Sequence, residues 1–379
     1  MKILYLLPFF DEDRNSFSKL LAPILDELIA QKIPFEIWSS NSSYEGSYRD
    51  YHHKMFAINF KYEFLTFLPT LFLTSIKVWR WKRRNPDGLV HNVGGGNSLV
   101  SDVITSHACH AQYLKQKIVY GELGRAILNP IHAMVICTEY FNFRQKLKTI
   151  SVSNYNTHGI KTYHPKADVI TIENASPAAR RSWRKERLKN SVFKIIFISN
   201  NHRRKGLEPL LDAMVMAKKR NLSWQLSIIG QDPQQDYWSR KVSELNIDDK
   251  VTFEGHQADV IDAMIKHDIL CFPSRYESFG MIFTEAASIG LPVFGTDVGI
   301  LSKLYPSWPH LPTLCKHPAS GEDIFQGLET FSNNDELLES LGSELQQGAS
   351  LFSLESMVEQ HLQVYQGERQ RIKASPITA

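Results

Sequence analysis

The sequence predicts an α/β protein built from two doubly wound domains in tandem, and three observations support this. The chain has 379 residues, which is too long for a single hydrophobic core. Short apolar strand-like runs alternate with helical patterns from end to end, and this alternation predicts parallel sheets with helices on both faces. The alternation breaks once, at residues 175–190, where a Ser-Pro-Ala-Ala segment is followed by a strongly basic one.

The break defines the expected domain boundaries. We expect a first domain over residues 1–178, a linker over 179–192 and a second domain over 193–352. Residues 353–379 are expected to form a helix that packs back on the first domain and then a loose tail. Ligands of doubly wound sheets bind at the carboxyl ends of the strands, so a shared ligand is expected in a cleft between the two domains.

The individual elements follow from the pattern of apolar residues. Phe17 to Lys32 is predicted to be a helix, because its leucines and isoleucines recur on one face. Strands are predicted where short apolar runs lie between turn residues. In the first half these runs are Ile3–Leu7, Pro34–Trp38, Gly88–Val93, Asp102–Thr105, Met134–Cys137, Ser151–Ser153 and Asp168–Ile172. In the second half they are Phe193–Ser199, Leu226–Gly230, Val251–Gly255, Ile269–Pro273 and Pro292–Gly295.

The charge is distributed unevenly. Lys and Arg number 43 and Asp and Glu 40, for a net charge of +3. Basic residues nevertheless exceed acidic ones up to about residue 190, and acidic residues exceed basic ones beyond it. This asymmetry predicts that the first half meets an anionic surface or ligand. No recognised nucleic-acid-binding module is present, so nucleic acid is not expected as a partner.

The cysteines and the first residues indicate a cytoplasmic protein. The four cysteines, Cys109, Cys137, Cys271 and Cys315, share no C-x-x-C spacing. We therefore expect buried free thiols rather than a metal site or a disulfide framework. The apolar run after Lys2 is too short for a signal peptide and lacks a cleavage site, so it is predicted to be a strand.

The most apolar stretch, Phe64 to Ile76, is too short to span a bilayer, which takes about 20 apolar residues. A basic segment interleaved with Trp79 and Trp81 follows it. Such a mixture suits the headgroup region of an anionic membrane. It also suits a buried helix with a solvated basic end, which the helix dipole favours. Both interpretations stay open. The basic residues are Lys77, Arg80, Lys82, Arg83 and Arg84.

The chemistry-bearing residues cluster in the second half. The predicted strand Ile269–Pro273 ends in a loop that carries Glu277. A helix is predicted to begin near Phe279–Gly280 and to carry Glu285. Gly280 lets a ligand approach the backbone, and the amides of a first helical turn form an anion site. Ionised carboxylates accept hydrogen bonds from sugar hydroxyls. Phosphate on amides and hydroxyls on carboxylates together indicate a nucleotide sugar.

This segment closely resembles one family. The spacing Glu277-x7-Glu285 lies within Pro-Ser-x-x-Glu-Ser-Phe-Gly-x-x-x-x-Glu-Ala and is followed by Gly-Leu-Pro-Val. It resembles the retaining GT-B glycosyltransferases of family 4, the glycosyl transferases group 1. The resemblance implies two Rossmann-like domains facing a deep inter-domain cleft, the first binding the acceptor and the second the donor.

The resemblance also implies an activity. The expected reaction moves a hexose-type sugar, with retention, from a nucleotide-sugar donor to a hydroxyl of a glycan or lipid-linked acceptor. Bacterial surface polysaccharide or lipopolysaccharide-type biosynthesis is the expected setting, peripheral to the inner face of the cytoplasmic membrane. No metal or other cofactor is expected. A nucleotide-sugar epimerase on the same fold, or a catalytically silent partner subunit that binds nucleotide sugar, are the alternatives.

Donor-binding roles are carried over residue by residue. Glu277 is expected to hold the donor sugar, Glu285 the ribose and His256 the nucleobase. Lys205 matches the lysine that grips the diphosphate. The usual arginine position is Asn200 here, and Arg204 instead resembles the arrangement in lipopolysaccharide core glucosyltransferases. The backbone amides expected at the donor belong to Phe279, Gly280 and Met281.

The first domain supplies further candidates. His107, at the end of the predicted strand Asp102–Thr105, matches a residue near the reacting centre, which makes His107, Glu277 and Lys205 the expected catalytic residues. His110, Gly95 and Gly96 are expected on the acceptor side.

The sequence departs from the family after the first strand. Many members carry a Gly-Gly loop there, whereas this loop has no glycine, and Arg14 or Asn15 is expected to substitute at the phosphates. The run Asp11-Glu12-Asp13 imitates a metal-binding D-x-D motif, but its position directly after a first strand favours an exposed acidic loop.

Overall fold

The computed structural model describes residues 1–11, 16–40, 44–55, 63–120, 130–145, 147–177, 192–305, 314–315 and 318–374. The chain divides into two compact units. The first comprises Met1–Ala175 and Leu354–Ala379, and the second comprises Ser176–Ser353. The predicted linker, 179–192, lies outside the described residues except for Val192, and the tail beyond residue 374 lies outside them entirely.

The first unit is built on a parallel sheet that has seven strands within the described residues. The strand order is β3-β2-β1-β4-β5-β6-β7. All strands are parallel, and the order of strand addition reverses between β1 and β4. Such a reversal marks the edge where doubly wound folds bind ligands. The strands are β1 Ile3–Leu6, β2 Phe35–Ser39, β3 His52–Lys54, β4 Leu89–Val93, β5 Val103–Ser106, β6 Lys148–Ser151 and β7 Asp168–Thr171. The helices that connect them are α1 Ser16–Ala30, α2 Glu63–Arg84, α3 His110–Val119, α4 Pro130–Arg144 and α5 Asn154–Tyr163.

The second unit repeats this plan with six described strands. Its order is β10-β9-β8-β11-β12-β13, again parallel, and the reversal lies between β8 and β11. The strands are β8 Phe193–Ile198, β9 Trp224–Ile229, β10 Val251–Gly255, β11 Ile269–Phe272, β12 Val293–Thr296 and β13 Leu314–Cys315. The helices are α6 Leu207–Lys219, α7 Gln235–Glu244, α8 Val260–Met264, α9 Met281–Ile289, α10 Gly321–Ser332 and α11 Asp335–Ala349. The predicted fold class, two Rossmann-like parallel α/β domains, is thus confirmed.

The last helix, α12 Leu354–Ala374, returns to the first unit. Its Met357, Val364 and Tyr365 are buried in the same apolar cluster as α1 and one face of the first sheet. The other face is covered by α2, whose Val78 and Trp81 pack on strands β1 and β4. Because both faces are covered, the central strands β1 and β4 are fully buried, which explains the apolar sequence of β1. The two polar residues of β4, His91 and Asn92, are buried with hydrogen-bond partners.

Two predicted strands are wrong. Met134–Cys137 lies inside α4. This helix buries the polar Thr138 and Asn142 and exposes the aromatic Tyr140 and Phe141, so its sequence lacks the usual apolar stripe. Ser151–Ser153 overlaps β6 only at Ser151, because Ser153 instead caps α5 by accepting a hydrogen bond from the amide of Asn156 at 3.0 Å.

The cysteine prediction also needs correction. Cys109 and Cys271 are buried free thiols, as expected, but Cys137 is a free thiol exposed on α4. The side chain of Cys315 lies outside the described residues. The burial expected for Cys137 followed from assigning its segment to a strand.

A buried polar cluster fastens α12 to the first sheet. The Tyr5 hydroxyl donates to the Tyr365 hydroxyl at 3.1 Å, and His91 Nδ1 lies 2.8 Å from the same hydroxyl. The other ring nitrogen of His91 lies 2.7 Å from Thr105 Oγ1. His361, one turn before Tyr365, is buried beside His91.

This cluster predicts a stability that depends on pH. Burial lowers the pKa of His361 to about 4 and, together with nearby His361, that of His107 to about 4. The unfolded chain therefore binds more protons than the folded one between about pH 6.5 and pH 4. The contribution of these two histidines to stability is constant above this window and falls as the pH decreases through it, by about 2 kcal/mol per histidine at pH 5. We expect a melting temperature lower by about 4–8 °C per histidine at pH 5 than at pH 7.5.

A variant that lacks one of these histidines checks the cause. His361→Phe keeps a buried ring but cannot titrate, so its melting temperature should fall less between pH 7.5 and pH 5 than that of the wild type. Thermal melts of both proteins across this range make the comparison. Identical pH dependence of the two proteins would contradict this account.

Candidate functional site

The loops after β8 and β11 meet at the reversal of strand order in the second unit. The first loop contains the predicted cations Arg204 and Lys205, and the second contains Glu277. The two loops are joined directly, because the amide of Arg275 donates to the carbonyl oxygen of Arg204 at 2.9 Å. Parallel strands present their carboxyl ends at one edge of the sheet, which is why residues more than 70 positions apart in sequence lie together here.

Gly206 explains why glycine follows Lys205. Its φ is +82°, in the left-handed region. A Cβ atom at this position would lie 2.1 Å from the carbonyl oxygen of Pro273, in the neighbouring loop. Only glycine allows this close approach, so Gly206 sets the separation of the two loops that carry the charged side chains.

Glu277 is the centre of the cluster. Its Oε1 accepts a hydrogen bond from the Ser274 hydroxyl at 2.9 Å, forms an ion pair with Lys205 and lies 3.4 Å from Arg204 Nη1. Arg204 Nη1 also donates to the carbonyl oxygen of Tyr276 at 3.1 Å. Glu277 is only 8% exposed, and Ser274 is fully buried. Two cations and one carboxylate leave the cluster with a net positive charge.

Burial and charge act in opposite directions on these groups. Burial alone would raise the pKa of Glu277, but Lys205, Arg204 and Ser274 together lower it, so the carboxylate is ionised. Burial lowers the pKa of Lys205 to about 8, although Glu277 opposes the change. Lys205 is therefore mostly a cation at neutral pH and loses its charge under mildly alkaline conditions.

Helix α9 begins directly after this loop. Gly280 is its N-cap residue, with a left-handed φ of +89°, as the sequence predicted for a helix start near Phe279–Gly280. The amides of the first helical turn, which begins at Met281, add the positive end of the helix dipole to the same edge of the sheet. The Phe279 side chain is 3% exposed and packs on Phe352, so this residue can offer a ligand its backbone but not its ring.

The other donor-side candidates lie on neighbouring elements of the second unit. Glu285 is half-buried on α9, one turn after Met281. His256 follows β10 and is exposed, at the carboxyl end of the sheet but two strands from β8. Asn200 joins the loops after β8 and β9, because its Oδ1 accepts the amide of Gln231 at 2.9 Å. Asn200, which occupies the usual arginine position, therefore connects two loops. The guanidinium beside Glu277 belongs to Arg204 instead.

In the first unit, His107 directly follows β5. Its ring stacks on Phe17, with 4.0 Å between the ring centroids. Its Nε2 is buried and has no hydrogen-bond partner among the described residues. With a pKa of about 4, the imidazole is neutral at physiological pH. His107 can therefore act there as a neutral hydrogen-bonding group but not as a cation.

His110 and the glycine turn after β4 both lie near Glu139. The carboxylate of Glu139 accepts the amide of His110 at 2.9 and 3.0 Å, while the His110 ring nitrogen Nε2 lies 2.8 Å from His132 Nδ1. Gly95 and Gly96, in the turn after β4, line a pocket together with Glu139. The two glycines and Glu139 thus line one pocket. His110 is connected to this pocket by its backbone amide, which donates to Glu139.

Some predicted residues fall outside the described part of the chain. Arg14, Asn15 and two of the three residues of the acidic run, Glu12 and Asp13, belong to this group, and Asp11 alone is described. Across the described ranges, no three His, Cys, Asp or Glu residues are grouped as metal ligands would be.

Several residues that contribute to these sites carry no role in the sequence prediction. Ser274, which holds Glu277, stands in the quoted Pro-Ser motif, but no role was predicted for it. The backbone of Ser274 is in turn held by the Thr296 hydroxyl, which donates to its carbonyl oxygen. In the first unit, Glu139 and Asn142 were hidden in a segment partly predicted as a strand.

Comparisons with known proteins show similarity at the level of sequence in the second half of the chain and at the level of fold across both units. Residues 179–347 match the sequence model of the family described as glycosyl transferases group 1. An uncharacterized glycosyltransferase from Haemophilus influenzae is 22% identical over 236 residues, which cover 60% of this chain and 61% of the relative. The chain thus spans about three fifths of the length of this curated relative.

Solved structures share the fold of the whole chain. The crystal structure of WaaG, a glycosyltransferase involved in lipopolysaccharide biosynthesis, has a TM-score of 0.75 at 15% identity, with 96% of this chain and 100% of that chain covered. Anabaena HepE in complex with UDP-glucose has a TM-score of 0.68 at 16% identity, with 97% and 100% covered. Residues 179–347 are therefore similar to the glycosyl transferases group 1, and the two units have the Rossmann-like α/β fold of the GT-B glycosyltransferases.

Proposed function

We propose that the protein is a retaining glycosyltransferase that moves a hexose-type sugar from a nucleotide-sugar donor to a hydroxyl of a glycan or lipid-linked acceptor. The observation that carries the proposal is the cluster of Arg204, Lys205 and Glu277 beside the start of α9. Similarity to a lipopolysaccharide glycosyltransferase and to a UDP-glucose complex supports surface polysaccharide synthesis and a nucleotide-sugar donor.

The chemistry of the cluster suits a diphosphate leaving group. Lys205 and Arg204 would bind the diphosphate, whose negative charge grows as the bond to the sugar breaks. Glu277 would turn from its ion pair with Lys205 towards the sugar hydroxyls, which donate hydrogen bonds to it. Glu285 and His256 would bind the ribose and the base. In this proposal the departing phosphate takes the proton of the acceptor hydroxyl, on the face of the sugar from which it leaves.

Charge neutralisation by protein cations supports a reaction that needs no metal. Arg204, Lys205 and the amides at the start of α9 together supply the positive charge that a divalent ion would otherwise bring. We therefore expect transfer to continue in the presence of a chelator such as EDTA.

Nucleotide binding offers the first test. UDP, GDP and ADP should be compared for their effect on the melting temperature of the whole chain. A nucleotide present at 100 times its dissociation constant stabilises the folded state by about 2.7 kcal/mol. We expect one of the three to raise the melting temperature clearly more than the others. If none stabilises the protein, the proposed donor class is wrong.

We further propose that α2 docks on an anionic membrane. The helix packs one face on the first sheet, as a buried helix would, and exposes an apolar stripe on the other. Phe72 is 64% exposed, and Leu68, Ile76 and Trp79 follow the same face at spacings of three and four residues. The basic end of the helix continues this surface, because the Arg83 guanidinium stacks 4.2 Å from the Trp79 ring.

Charge complementarity favours a lipid surface for this stripe. Four of the five basic residues at the end of α2 are exposed, whereas Lys82 pairs with Asp102 at 2.8 Å. No helix in the described part of the chain is long and apolar enough to cross a membrane. An amphipathic stripe with a basic end suits the interface of a bilayer. The exposed basic residues are Lys77, Arg80, Arg83 and Arg84.

Vesicle co-sedimentation tests this surface. The wild type should sediment with phosphatidylcholine vesicles that contain phosphatidylglycerol, and high salt should weaken the binding. Phe72→Glu should reduce the bound fraction about tenfold at low salt, because it removes an apolar anchor and adds a repelled charge. Leu351→Glu, at a residue 53% exposed in the second unit, is the matched control. Equal binding of Phe72→Glu and wild type, or of neutral and anionic vesicles, would contradict the proposal.

A further inference from the structure

The first unit contains a pocket at the carboxyl ends of β4 and β5, between α2 and α4. It measures about 370 Å³ including its mouth. This volume includes open solvent at the mouth, so the pocket would enclose only part of a ligand. The turn Gly94–Gly96 forms one side. The walls are mostly apolar and include two aromatic rings. Three polar residues of α4 also line the pocket: Glu139, Asn142 and Thr138, whose hydroxyl donates to the carbonyl oxygen of Met134 in the same helix. The apolar lining residues include Phe67, Ile104, Val135 and Phe143.

Asn142 is one of these polar side chains and is 2% exposed. Its Nδ2 donates to the carbonyl oxygen of Gly95 at 2.7 Å, which fixes the orientation of the amide. Its Oδ1 is buried and has no hydrogen-bond partner within the described residues. A buried acceptor without a donor costs about 1–3 kcal/mol. A ligand that brings a donor into the pocket would remove this cost.

Glu139 is the second polar side chain. The two amide hydrogen bonds that it accepts, from His110 and Ala111, hold the carboxyl at the start of α3. Burial raises the pKa of Glu139 to about 7. Its remaining lone pairs can accept hydrogen bonds from a ligand.

The pocket therefore offers acceptors and apolar surface, and no lysine or arginine is among its described lining residues. An anionic group would be repelled by ionised Glu139 and would find no cation. An acyl chain would fit the apolar walls, but it would leave Asn142 Oδ1 without a donor. A sugar ring satisfies both requirements, since it carries hydroxyl donors at its edge and apolar C–H groups on its face, which pack on aromatic rings.

We propose that this pocket binds an uncharged sugar ring of the acceptor, with Asn142 and Glu139 accepting hydrogen bonds from its hydroxyls. The term acceptor rests on the function proposed above, whereas binding of a neutral sugar does not. The assignment separates two roles in the first unit. An exposed group of basic residues lies on α2, whereas the described lining of the sugar pocket has no lysine or arginine.

Saturation-transfer NMR on the whole chain tests the proposal. The probes are the methyl α-glycosides of glucose, galactose and mannose, with methyl α-glucuronide as the anionic counterpart of the glucoside and 1-hexanol as the aliphatic one. We expect saturation transfer to at least one neutral glycoside and at least fivefold less to the glucuronide at pH 8.

Two pocket variants and one control locate the binding. Gly96 has a φ outside the left-handed region, and a Cβ there would lie 3.7 Å from Phe67 Cε2, so Gly96→Leu fills the pocket without backbone strain. Glu139→Gln removes the ionisable group and keeps its size. Both should reduce transfer to the glycoside at least fivefold. Gly367→Leu adds the same side chain to α12 where nothing lies within 4 Å of a Cβ, and it should bind as the wild type does.

The outcomes separate this proposal from the proposed function. If no neutral glycoside binds, if the glucuronide binds equally well, or if the pocket variants release only 1-hexanol, the sugar pocket is wrong. Nucleoside diphosphate binding, measured on the same samples, reports on the second unit. If the wild type binds a glycoside but no nucleotide, the sugar pocket is supported and the proposed glycosyltransferase function is wrong. If it binds a nucleotide but no glycoside, the proposed function is supported and the sugar pocket is wrong.

Discussion

Lys205→Ala is expected to lower sugar transfer roughly a thousandfold, the order of effect that follows removal of one charged group at a developing negative charge. Lys205 is the more buried of the two cations beside Glu277, with a side chain 13% exposed against 31% for Arg204. In the variant, Glu277 keeps Arg204 and the Ser274 hydroxyl, so its carboxylate is not left without partners. The fold should therefore persist while transfer is lost.

The pH dependence of transfer distinguishes the charge of Lys205 from its bulk. Because its pKa is about 8, deprotonation should weaken donor binding as the pH rises through this value. Lys205→Arg keeps a charge that does not titrate in this range, so any activity that it retains should not decline there. Initial rates from pH 6.5 to pH 9.5 make the comparison.

A surface lysine provides the control for Lys205. Lys218 pairs with Asp249 at 2.6 Å on the exposed surface of the same unit, with both side chains more than 40% exposed. Exposed pairs of this kind contribute little to stability, so Lys218→Ala should transfer sugar like the wild type. Wild-type rates in Lys205→Ala would show that the cluster is not the donor site.

Glu277→Gln is the second variant with a large expected effect. The amide keeps the size of the side chain and can still accept a hydrogen bond, but it no longer pairs ionically with Lys205. We expect transfer to fall about a hundredfold or more, because the hydrogen bonds from the donor sugar to a carboxylate are about twice as strong as those to a neutral acceptor. Since Glu277 raises the pKa of Lys205, its removal should also move the alkaline decline to a lower pH.

The stability of Glu277 variants separates positioning from folding. Glu277→Ala leaves a buried cation without its partner, which typically costs about 3–5 kcal/mol, and its melting temperature should fall clearly. Glu277→Gln should melt closer to the wild type. Glu329→Gln, which breaks the exposed pair with Arg220 at 3.1 Å, is the matched control. If Glu277→Gln retains wild-type rates and an unchanged alkaline decline, the role proposed for Glu277 is wrong.

Most of the fold was predictable because its core strands carry a local signal. β1 and β11 are buried on both faces, and their continuous apolar runs stand out between turn residues. β8 is apolar except for the exposed Lys194. The start of α9 was predictable for a similar reason, since Gly280 marks a backbone conformation that other residues rarely adopt.

The error at α4 has a physical origin. Periodicity identifies a helix only when one face is apolar, and α4 buries Thr138 and Asn142 instead. These polar side chains are buried because they serve tertiary contacts: the Asn142 amide holds the glycine turn, and Thr138 donates to its own helix at Met134. Neither partner can be inferred from residues near them in the sequence.

The charged residues of the candidate site could be predicted from the sequence, but the residues that hold them in position could not. Arg204, Lys205 and Glu277 belong to motifs that the resemblance identified. The hydrogen bond from Ser274 and the close approach of Pro273 to Gly206 depend on how two strands far apart in sequence align. The exposure of Phe72 likewise depends on which face of α2 the sheet covers.

The central claim is that the second unit holds a nucleotide sugar through Lys205, Arg204 and Glu277 and activates its diphosphate for departure. The most direct measurement is a time course by ³¹P and ¹H NMR of the wild type and Lys205→Ala with UDP-, GDP- and ADP-hexoses, without an acceptor. We predict that the wild type slowly releases nucleoside diphosphate from one of these donors and that Lys205→Ala does not. Donors that stay intact with the wild type, epimerisation of the sugar, or equal release by the variant would contradict the claim.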